Sequence, residues 1–205
     1  LDDAFQHRKI RKDIDIVLID HNRFLGNGLV LPSGLLRDCV SRLKNCDLII
    51  LTKIPDLNSQ SVKDKIKYLK RFGKPVFLSK IDYKGFKNGS DCIPPESLVS
   101  KNLSVYCGIA DPEPFLKFFE NMNIVSKHIY GDHYVYSSEF SGVLAEMKER
   151  SDLIITTYKD FVKLDHGQIS LNNVYYLDFE PVLFNDRLEK TDIYNVITER
   201  LTAEK

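Results

Sequence analysis

The chain has 205 residues, of which 43% are hydrophobic and 28% charged, a balance typical of a soluble globular protein with one large domain or two small ones. Its 29 basic and 29 acidic residues give a formal net charge of zero, which excludes a global basic field for nucleic acid but leaves a local basic patch open. The four cysteines lack CxxC spacing, which disfavours a zinc site, and no apolar run reaches the roughly 18 residues that span a bilayer.

Strand and helix patterns alternate through the first eighty residues. An apolar run at 14–20 predicts a strand buried on both faces, the run at 47–54 predicts a second buried strand, and 75–81 is again strand-like. Helical stripes at 35–43 and 61–72 lie between them. This alternation predicts a parallel sheet with helices on both faces.

Residues 82–100 interrupt the alternation. Gly85, Gly89, Pro94 and Pro95 punctuate a polar stretch, which indicates either a linker or a short antiparallel excursion.

A second α/β segment follows this break. Its predicted strands are 103–107, 127–130, 152–156 and 174–179, and its predicted helices begin at Pro112, after Ser138 and at 192. Asp111 and Ser138 are the expected helix caps. We therefore expect two α/β lobes, with boundaries at 1–81, 82–100 (linker), 101–185 and 186–205 (closing helix).

The first eight residues combine acidic and basic side chains at what we expect to be a strand end. Asp2 and Asp3 would lie where parallel sheets bind ligands, and carboxylate oxygens suit Mg²⁺. His7 alone is more typical of a structural histidine than of a catalyst. Arg8 is the first residue of a short basic cluster. This cluster is either a solvated turn or a site that attracts phosphate or an anionic lipid headgroup.

A glycine-rich loop over 26–38 runs into the helix expected at 35–43. Its backbone amides, with Asn27 and Gly28 in the loop, could hold an anion, and Arg37 could add a charge-assisted contact. The spacing is not that of a P-loop, because GxxxxGK[ST] occurs nowhere in the sequence.

Two further groups follow predicted strands in the second half of the chain. The Asp132 carboxylate next to His133 could shift the pKa of the imidazole or hold its tautomer, although neighbouring residues in a strand point to opposite faces. Lys159 would lie at a strand-to-helix turn, where it could meet a phosphate, and Thr157 could simply cap the helix there.

Taken together, these segments resemble the tetraacyldisaccharide 4'-kinase family. Asp2 to Arg8 match the family pattern D-D-G-F-Q-H-R, and Lys12 to Asp20 match R-D-L-D-I-V-L-L-D. Asn27 to Asp38 match N-G-x-L-L-P-A-G-P-L-R-E, and Gly108 to Phe115 match G-I-x-x-P-x-x-F. Asp132-His133 match D-H, and Thr157 to Leu164 match T-x-K-D-x-V-K-L, so that all the patterns occur in the family order. Ala4 replaces the family glycine, and Gly131 stands where proline is usual.

The resemblance implies a P-loop NTPase-like α/β fold of two parallel-sheet α/β/α lobes joined by a short linker. It implies transfer of the γ-phosphoryl group of ATP, with Mg²⁺, to the 4'-hydroxyl of the tetraacyldisaccharide 1-phosphate precursor of lipid A. Asp2 and Asp3 match the metal-binding and catalytic pair, and His133 matches a histidine that works with an upstream aspartate as base.

The residues that would contact substrate or phosphate under this resemblance are His7, Arg8, Asn27, Gly28, Arg37, Asp132 and Lys159. The expected partners are ATP, the disaccharide lipid and the inner-membrane surface, and not nucleic acid. The expected location is the cytoplasmic face of the bacterial inner membrane, with peripheral attachment or a missing N-terminal anchor helix.

The chain begins with Leu1, so we expect an upstream piece that carries the P-loop to be missing, and we predict little or no kinase activity for the 205 residues alone. Two alternatives stay open: another P-loop-type small-molecule kinase or NTPase, and a non-catalytic α/β binding module derived from the kinase.

Overall fold

A computed structural model describes residues 4–7, 9–137, 139–164 and 171–203. The strands are β1 (Ile16–Asp20), β2 (Leu48–Thr52), β3 (Val76–Asn88), β4 (Asp91–Ile93), β5 (Asn102–Cys107), β6 (Asn123–Ile129), β7 (Leu153–Thr157), β8 (Val174–Phe184) and β9 (Lys190–Thr191). The α-helices are α1 (Gln60–Lys70), α2 (Glu113–Lys117), α3 (Phe140–Arg150), α4 (Tyr158–Phe161) and α5 (Ile193–Ala203), and 3₁₀ helices occupy Val40–Asn45 and Pro95–Leu98.

The chain divides into two compact units. Unit 1 is drawn from Leu1–Asp82 and Pro181–Lys205, and unit 2 is the continuous stretch Tyr83–Glu180. Strands β3 and β8 each run from one unit into the other. The sequence-based boundaries differ from this division, because they set 82–100 apart as a linker and gave the last helix a region of its own.

Unit 1 is built on β1, β2 and the first part of β3, which pair in parallel. Strand β2 is its centre, and the side chains of Leu48, Ile49 and Leu51 are fully buried. Helix α1 begins where the Ser59 hydroxyl accepts a hydrogen bond from the Val62 amide at 3.4 Å. Burial on both faces of the central strand is the expected consequence of its uninterrupted apolar sequence.

Unit 2 contains a parallel array in the order β8, β7, β5, β6. Alternate residues of β5 enter two separate cores, with Val105 in one and Tyr106 in the other, and β7 divides Ile155 and Ile154 in the same way. Both faces of these strands are therefore covered by apolar side chains, as parallel strands require.

The segment after residue 82 continues as strand. The end of β3 pairs antiparallel with β4, with Phe86 opposite Ile93, which corresponds to the antiparallel excursion that the sequence left open. Strand β9 likewise pairs antiparallel with the end of β8. The predicted α/β class is confirmed, but the strands are mixed, mostly parallel, rather than purely parallel as expected.

Two local predictions were wrong. The stripe at 35–43 does not form a helix there, because Leu36 pairs with Val30 in an isolated bridge, and a 3₁₀ helix starts only at Val40. Helix α2 starts at Glu113, and its cap position is Pro112, which has no side chain able to accept a capping bond, rather than Asp111. The other expected cap, Ser138, lies outside the described residues.

Within the described part of the chain, none of the helices combines the length and apolar character needed to cross a membrane.

Candidate functional site

The end of β7 carries a buried carboxylate that organises the surrounding turns of unit 2. Asp160 is fully buried, and its Oδ2 accepts hydrogen bonds from the Gly108 amide and the Thr157 hydroxyl, each at 2.8 Å. Its Oδ1 accepts a charge-assisted bond from Lys163 Nζ at 2.9 Å. Burial alone would raise the pKa of the Asp160 carboxyl, but these hydrogen bonds outweigh burial and hold its pKa below the usual range. Asp160 is therefore an ionised structural centre.

Gly108 lets three groups approach closely around this carboxylate. A Cβ atom at Gly108 would lie 3.1 Å from Tyr134 Cβ, 3.2 Å from the Tyr136 hydroxyl and 3.3 Å from Asp160 Oδ1. Burial, and then the Asp160 charge, raises the pKa of Tyr136, so this phenol is not a candidate acid or base near neutral pH. Lys163 donates a second bond to the Tyr134 carbonyl at 3.3 Å, which ties the loop at 131–136 to Asp160.

Asp132, His133 and Lys159 come together on that loop and on α4. Lys159 Nζ donates to Asp132 Oδ1 at 2.8 Å, and this hydrogen bond is the main reason that the pKa of Asp132 is lowered. His133 Nε2 lies 3.6 Å from Asp132 Oδ2. His133 has a positive φ of 60°, and its side chain is 82% exposed. The result is an accessible imidazole beside an ionised carboxylate and an ammonium group.

Aromatic side chains lie next to this cluster and were not singled out from the sequence. The rings of Tyr130 and Tyr134 stack with centroids 4.2 Å apart, and His128 stacks on Tyr130 at 6.4 Å. The only sequence signal was the frequency of tyrosine between 130 and 136, which also suits an ordinary core.

Unit 1 contains a cleft of about 1120 Å³ along β1 and the loops on either side of it. Phe5 helps to form one wall, with Lys12 Nζ 5.6 Å and Arg42 Cζ 4.8 Å from its ring centroid. Arg42 also donates to the Phe5 carbonyl at 3.2 Å. These contacts order the segment directly after the acidic pair.

A second charged group stands at the carboxyl ends of β1 and β2, and the sequence did not point to it. Asp20 forms an ion pair with Lys53 at 2.8 Å, and Lys53 has a positive φ of 56°. His21 is buried, and burial, followed by the charge of Lys65, lowers its pKa. Lys65 donates to the His21 carbonyl at 2.8 Å. The available signal was a polar residue directly after each buried strand.

The remaining predicted site residues of unit 1 lie on loops. His7 is exposed, and its amide bonds to the Ala4 carbonyl at 3.0 Å. Asn27 bridges its own loop, donating to the Ser33 carbonyl at 2.9 Å and accepting from the Leu29 amide at 3.1 Å.

Gly28 has a positive φ of 77°, and its amide bonds to the Leu25 carbonyl at 2.9 Å. Arg37 is exposed and lies before the 3₁₀ helix. Because no α-helix starts at residue 35, the helix N-terminus expected to hold an anion is absent there.

Asp2, Asp3 and Arg8 fall outside the described residues. In the part that is described, no group of three or more His, Cys, Asp or Glu side chains is placed to hold a metal ion. The Mg²⁺ site predicted at Asp2 and Asp3 thus remains a prediction from sequence.

Comparison with known proteins places these features in context. The family model for tetraacyldisaccharide-1-P 4'-kinase matches residues 1–198. A tetraacyldisaccharide 4'-kinase of Chlorobium chlorochromatii is 31% identical over 202 residues, covering 91% of this chain and 53% of that protein. The corresponding protein of Geobacter metallireducens is 32% identical over 201 residues, covering 96% of this chain and 58% of that protein. The chain thus spans about half the length of the curated relatives it matches.

The fold also matches a solved structure, the crystal structure of the "apo" form of LpxK from Aquifex aeolicus in complex with ATP. The TM-score is 0.66 at 23% identity, over 99% of this chain and 56% of that one. This likeness establishes the fold. The family match over residues 1–198, with relatives 31% and 32% identical over most of the chain, shows that the protein belongs to the tetraacyldisaccharide-1-P 4'-kinase family.

Proposed function

We propose that this chain is part of an enzyme that transfers the γ-phosphoryl group of ATP to the 4'-hydroxyl of the tetraacyldisaccharide 1-phosphate precursor of lipid A. The observation that carries the proposal is the cluster of Asp132, His133 and Lys159, which lies inside the stretch matched by the family model. The curated relatives are tetraacyldisaccharide 4'-kinases, and phosphoryl transfer depends mainly on positioning and charge neutralisation.

Within this cluster we assign His133 as the general base for the acceptor hydroxyl. Its imidazole is accessible, and the adjacent Asp132 carboxylate lies 3.6 Å from Nε2, an arrangement that can orient the ring. Lys159 holds Asp132 at 2.8 Å and places an ammonium group at the same surface, where it can meet a phosphate oxygen. The buried Asp160 supports this surface through Lys163.

The metal and nucleotide parts of the proposal rest on other residues. We propose that Asp2 and Asp3 hold Mg²⁺, which would neutralise phosphate charge, because paired carboxylates are suitable ligands for that ion. No GxxxxGK[ST] occurs in the sequence, so ATP would be cradled by a segment outside these 205 residues. Unit 1 would then be the remainder of a P-loop NTPase-like lobe.

The loops of unit 1 would contribute further contacts to the acceptor and its phosphate. The proposed residues are His7, Arg8, Asn27, Gly28 and Arg37. Because the acceptor is a lipid, we propose that the complete enzyme works at the cytoplasmic face of the inner membrane, attached peripherally or by an N-terminal helix.

A phosphorylation assay with γ-labelled ATP and the tetraacyldisaccharide 1-phosphate tests the proposal. The 205-residue chain alone should give little or no product, whereas a fusion that adds the N-terminal half of the Geobacter metallireducens relative should be active. In that fusion, His133→Ala and Asp3→Ala should abolish most activity. His128→Ala, a histidine replacement on the neighbouring strand β6, is the matched control and should retain it.

Each alternative has its own outcome in this assay. Activity that survives both His133→Ala and Asp3→Ala would refute the site assignments. Hydrolysis of ATP without labelling of the lipid would favour another P-loop-type enzyme. Binding of the lipid by an inactive fusion would favour a non-catalytic module, and strong activity of the 205 residues alone would contradict the need for an upstream segment.

A further inference from the structure

The loop formed by residues 24–36, here called the apolar loop, differs from the other loops of unit 1 in composition. It contains no charged residue, and Arg23 and Arg37 flank it. Leu29, Val30 and Leu31 are consecutive and 52%, 42% and 61% exposed, and Leu35, 76% exposed, precedes the Leu36 carbonyl that accepts from the Leu31 amide. Single exposed apolar residues are ordinary, but a contiguous exposed group marks a site of interaction.

The base of the apolar loop is fixed to unit 1. Phe24 packs edge-to-face on Tyr68 of α1, with ring centroids 5.7 Å apart. Leu25 packs against the buried core of unit 1. The exposed leucines are therefore presented by an anchored base.

Several polar backbone groups of the apolar loop bond to one another. The Leu31 amide donates to the Leu36 carbonyl at 2.9 Å, and the Leu36 amide donates to the Leu29 carbonyl at 3.2 Å. Asn27 supplies both a donor and an acceptor to the loop, as described above. Each such internal bond lowers the cost of removing the loop backbone from water, because a backbone group that leaves water must be satisfied internally.

Gly34 makes this closed conformation possible. A Cβ atom there would lie 2.2 Å from the Leu29 carbonyl oxygen and 2.3 Å from Asn27 Oδ1. The backbone thus closes on itself at a distance that only glycine permits.

We propose that the apolar loop inserts into the boundary between headgroups and acyl chains of a bilayer that contains anionic phospholipids. The leucines would lie among the upper acyl segments, and the exposed side chains of Arg23 and Arg37 would reach the phosphates at either end of the loop. The charge complementarity of these arginines with anionic headgroups favours a bilayer over another protein surface. The inference deepens the proposed function, since it rests on an acceptor that is itself a membrane lipid.

Tryptophan fluorescence tests the insertion directly, because the chain contains no tryptophan. Leu35→Trp places a single reporter on the loop, and Val99→Trp places one at another exposed apolar position, 69% exposed in unit 2. With vesicles of equal parts phosphatidylcholine and phosphatidylglycerol, the Leu35→Trp emission should shift to the blue. It should also be quenched by lipids brominated in the upper acyl chain. Val99→Trp should do neither, and equal behaviour of the two reporters would overturn the proposal.

Vesicle cosedimentation of the 205-residue chain provides the second measurement. Leu35→Glu should weaken partitioning by about tenfold or more, the equivalent of losing one buried leucine, whereas Val99→Glu should not. Arg23→Gln should weaken binding to the anionic vesicles more than to pure phosphatidylcholine. Gly34→Ala, which changes neither polarity nor charge, should also weaken binding while the circular dichroism spectrum is retained.

Leu35→Glu protein that partitions like the unsubstituted chain would refute the inference. So would ultracentrifugation showing that the leucines hold a dimer and that vesicles do not compete with it. The vesicle measurements use no ATP and do not depend on turnover. A failed kinase assay therefore leaves this inference standing, and failed vesicle binding leaves the proposed reaction standing.

Discussion

Replacing Asp160 by asparagine removes one charge from the most connected buried group of unit 2. The asparagine oxygen can still accept from Gly108 and Thr157, but its amide group would face the Lys163 ammonium in place of the carboxylate oxygen 2.9 Å away. A hydrogen bond to a charged group contributes about 1.5–3 kcal/mol, and breaking a buried ion pair costs about 3–5 kcal/mol. Because the Lys163 side chain is 26% exposed and can regain some water, we expect a loss of about 2–4 kcal/mol in the free energy of unfolding.

Urea unfolding followed by far-UV circular dichroism measures this loss, and amide hydrogen exchange locates it. The Gly108 amide, which donates to Asp160, should lose protection in Asp160→Asn. The matched control is Asp152→Asn, an exposed aspartate that accepts one backbone bond from the Asn102 amide at 2.8 Å. Its effect should stay within about 1 kcal/mol.

The free energy of unfolding should also depend on pH in a direction that the pKa of Asp160 determines. The folded-state pKa of Asp160 is lowered, so its contribution is fully present above the unfolded-state pKa of about 3.9 and is lost as pH falls through the folded-state value. Asp160→Asn lacks this part of the acid sensitivity, so the stabilities of the two proteins should converge as the solution becomes acidic. The role given to Asp160 would be refuted if Asp160→Asn unfolded within about 0.5 kcal/mol of the unsubstituted chain near neutral pH, with Gly108 still protected.

Two further predictions concern the same unit. Gly108→Ala should destabilise by about 1–3 kcal/mol in thermal melting because its Cβ crowds the groups around Asp160. Gly142 lies in α3 with open space around a new Cβ, so Gly142→Ala should instead stabilise the protein by up to about 1 kcal/mol. If Gly108→Ala and Gly142→Ala changed the stability in the same direction, the crowding proposed at Gly108 would be refuted. Lys159→Met should raise the pKa of Asp132 in a carboxyl NMR titration, because the Lys159 hydrogen bond is the main cause that lowers it. Lys101→Met should leave the pKa of Asp132 unchanged. If Lys159→Met also left the pKa of Asp132 unchanged, the ion pair between Lys159 and Asp132 would not form in solution.

The strands were predictable because an uninterrupted apolar run, such as that of β2 or β7, needs burial on both faces. An inner strand of a parallel sheet provides that burial. The helix predicted at 35–43 does not form, because a tertiary contact competes with it. Its leucines fit a helical period, but Leu36 pairs with Val30 instead, and periodicity carries no information about that pairing.

The site was predictable by residue type more than by geometry. Asp132 and His133 would diverge in a strand, yet the positive φ of His133 turns the chain and leaves the two side chains 3.6 Å apart. Lys159 reaches Asp132 across 27 positions, a pairing that spacing alone could not predict. The structural role of Asp160 had a faint signal in its distance of three residues from both Thr157 and Lys163, but nothing in that spacing indicated that the carboxylate is fully buried.

The division of the chain has a consequence for the order in which the protein can fold during synthesis. Unit 2 is one continuous stretch, so all of its residues have been made once the ribosome passes Glu180. Unit 1 must wait, because Phe184 and Leu188 pack against its core and lie in Pro181–Lys205, which follows unit 2 in the chain. The apolar strands β1 and β2 therefore lack these partners while the whole of unit 2 is being made. This is the interval in which a nascent chain is most exposed to aggregation.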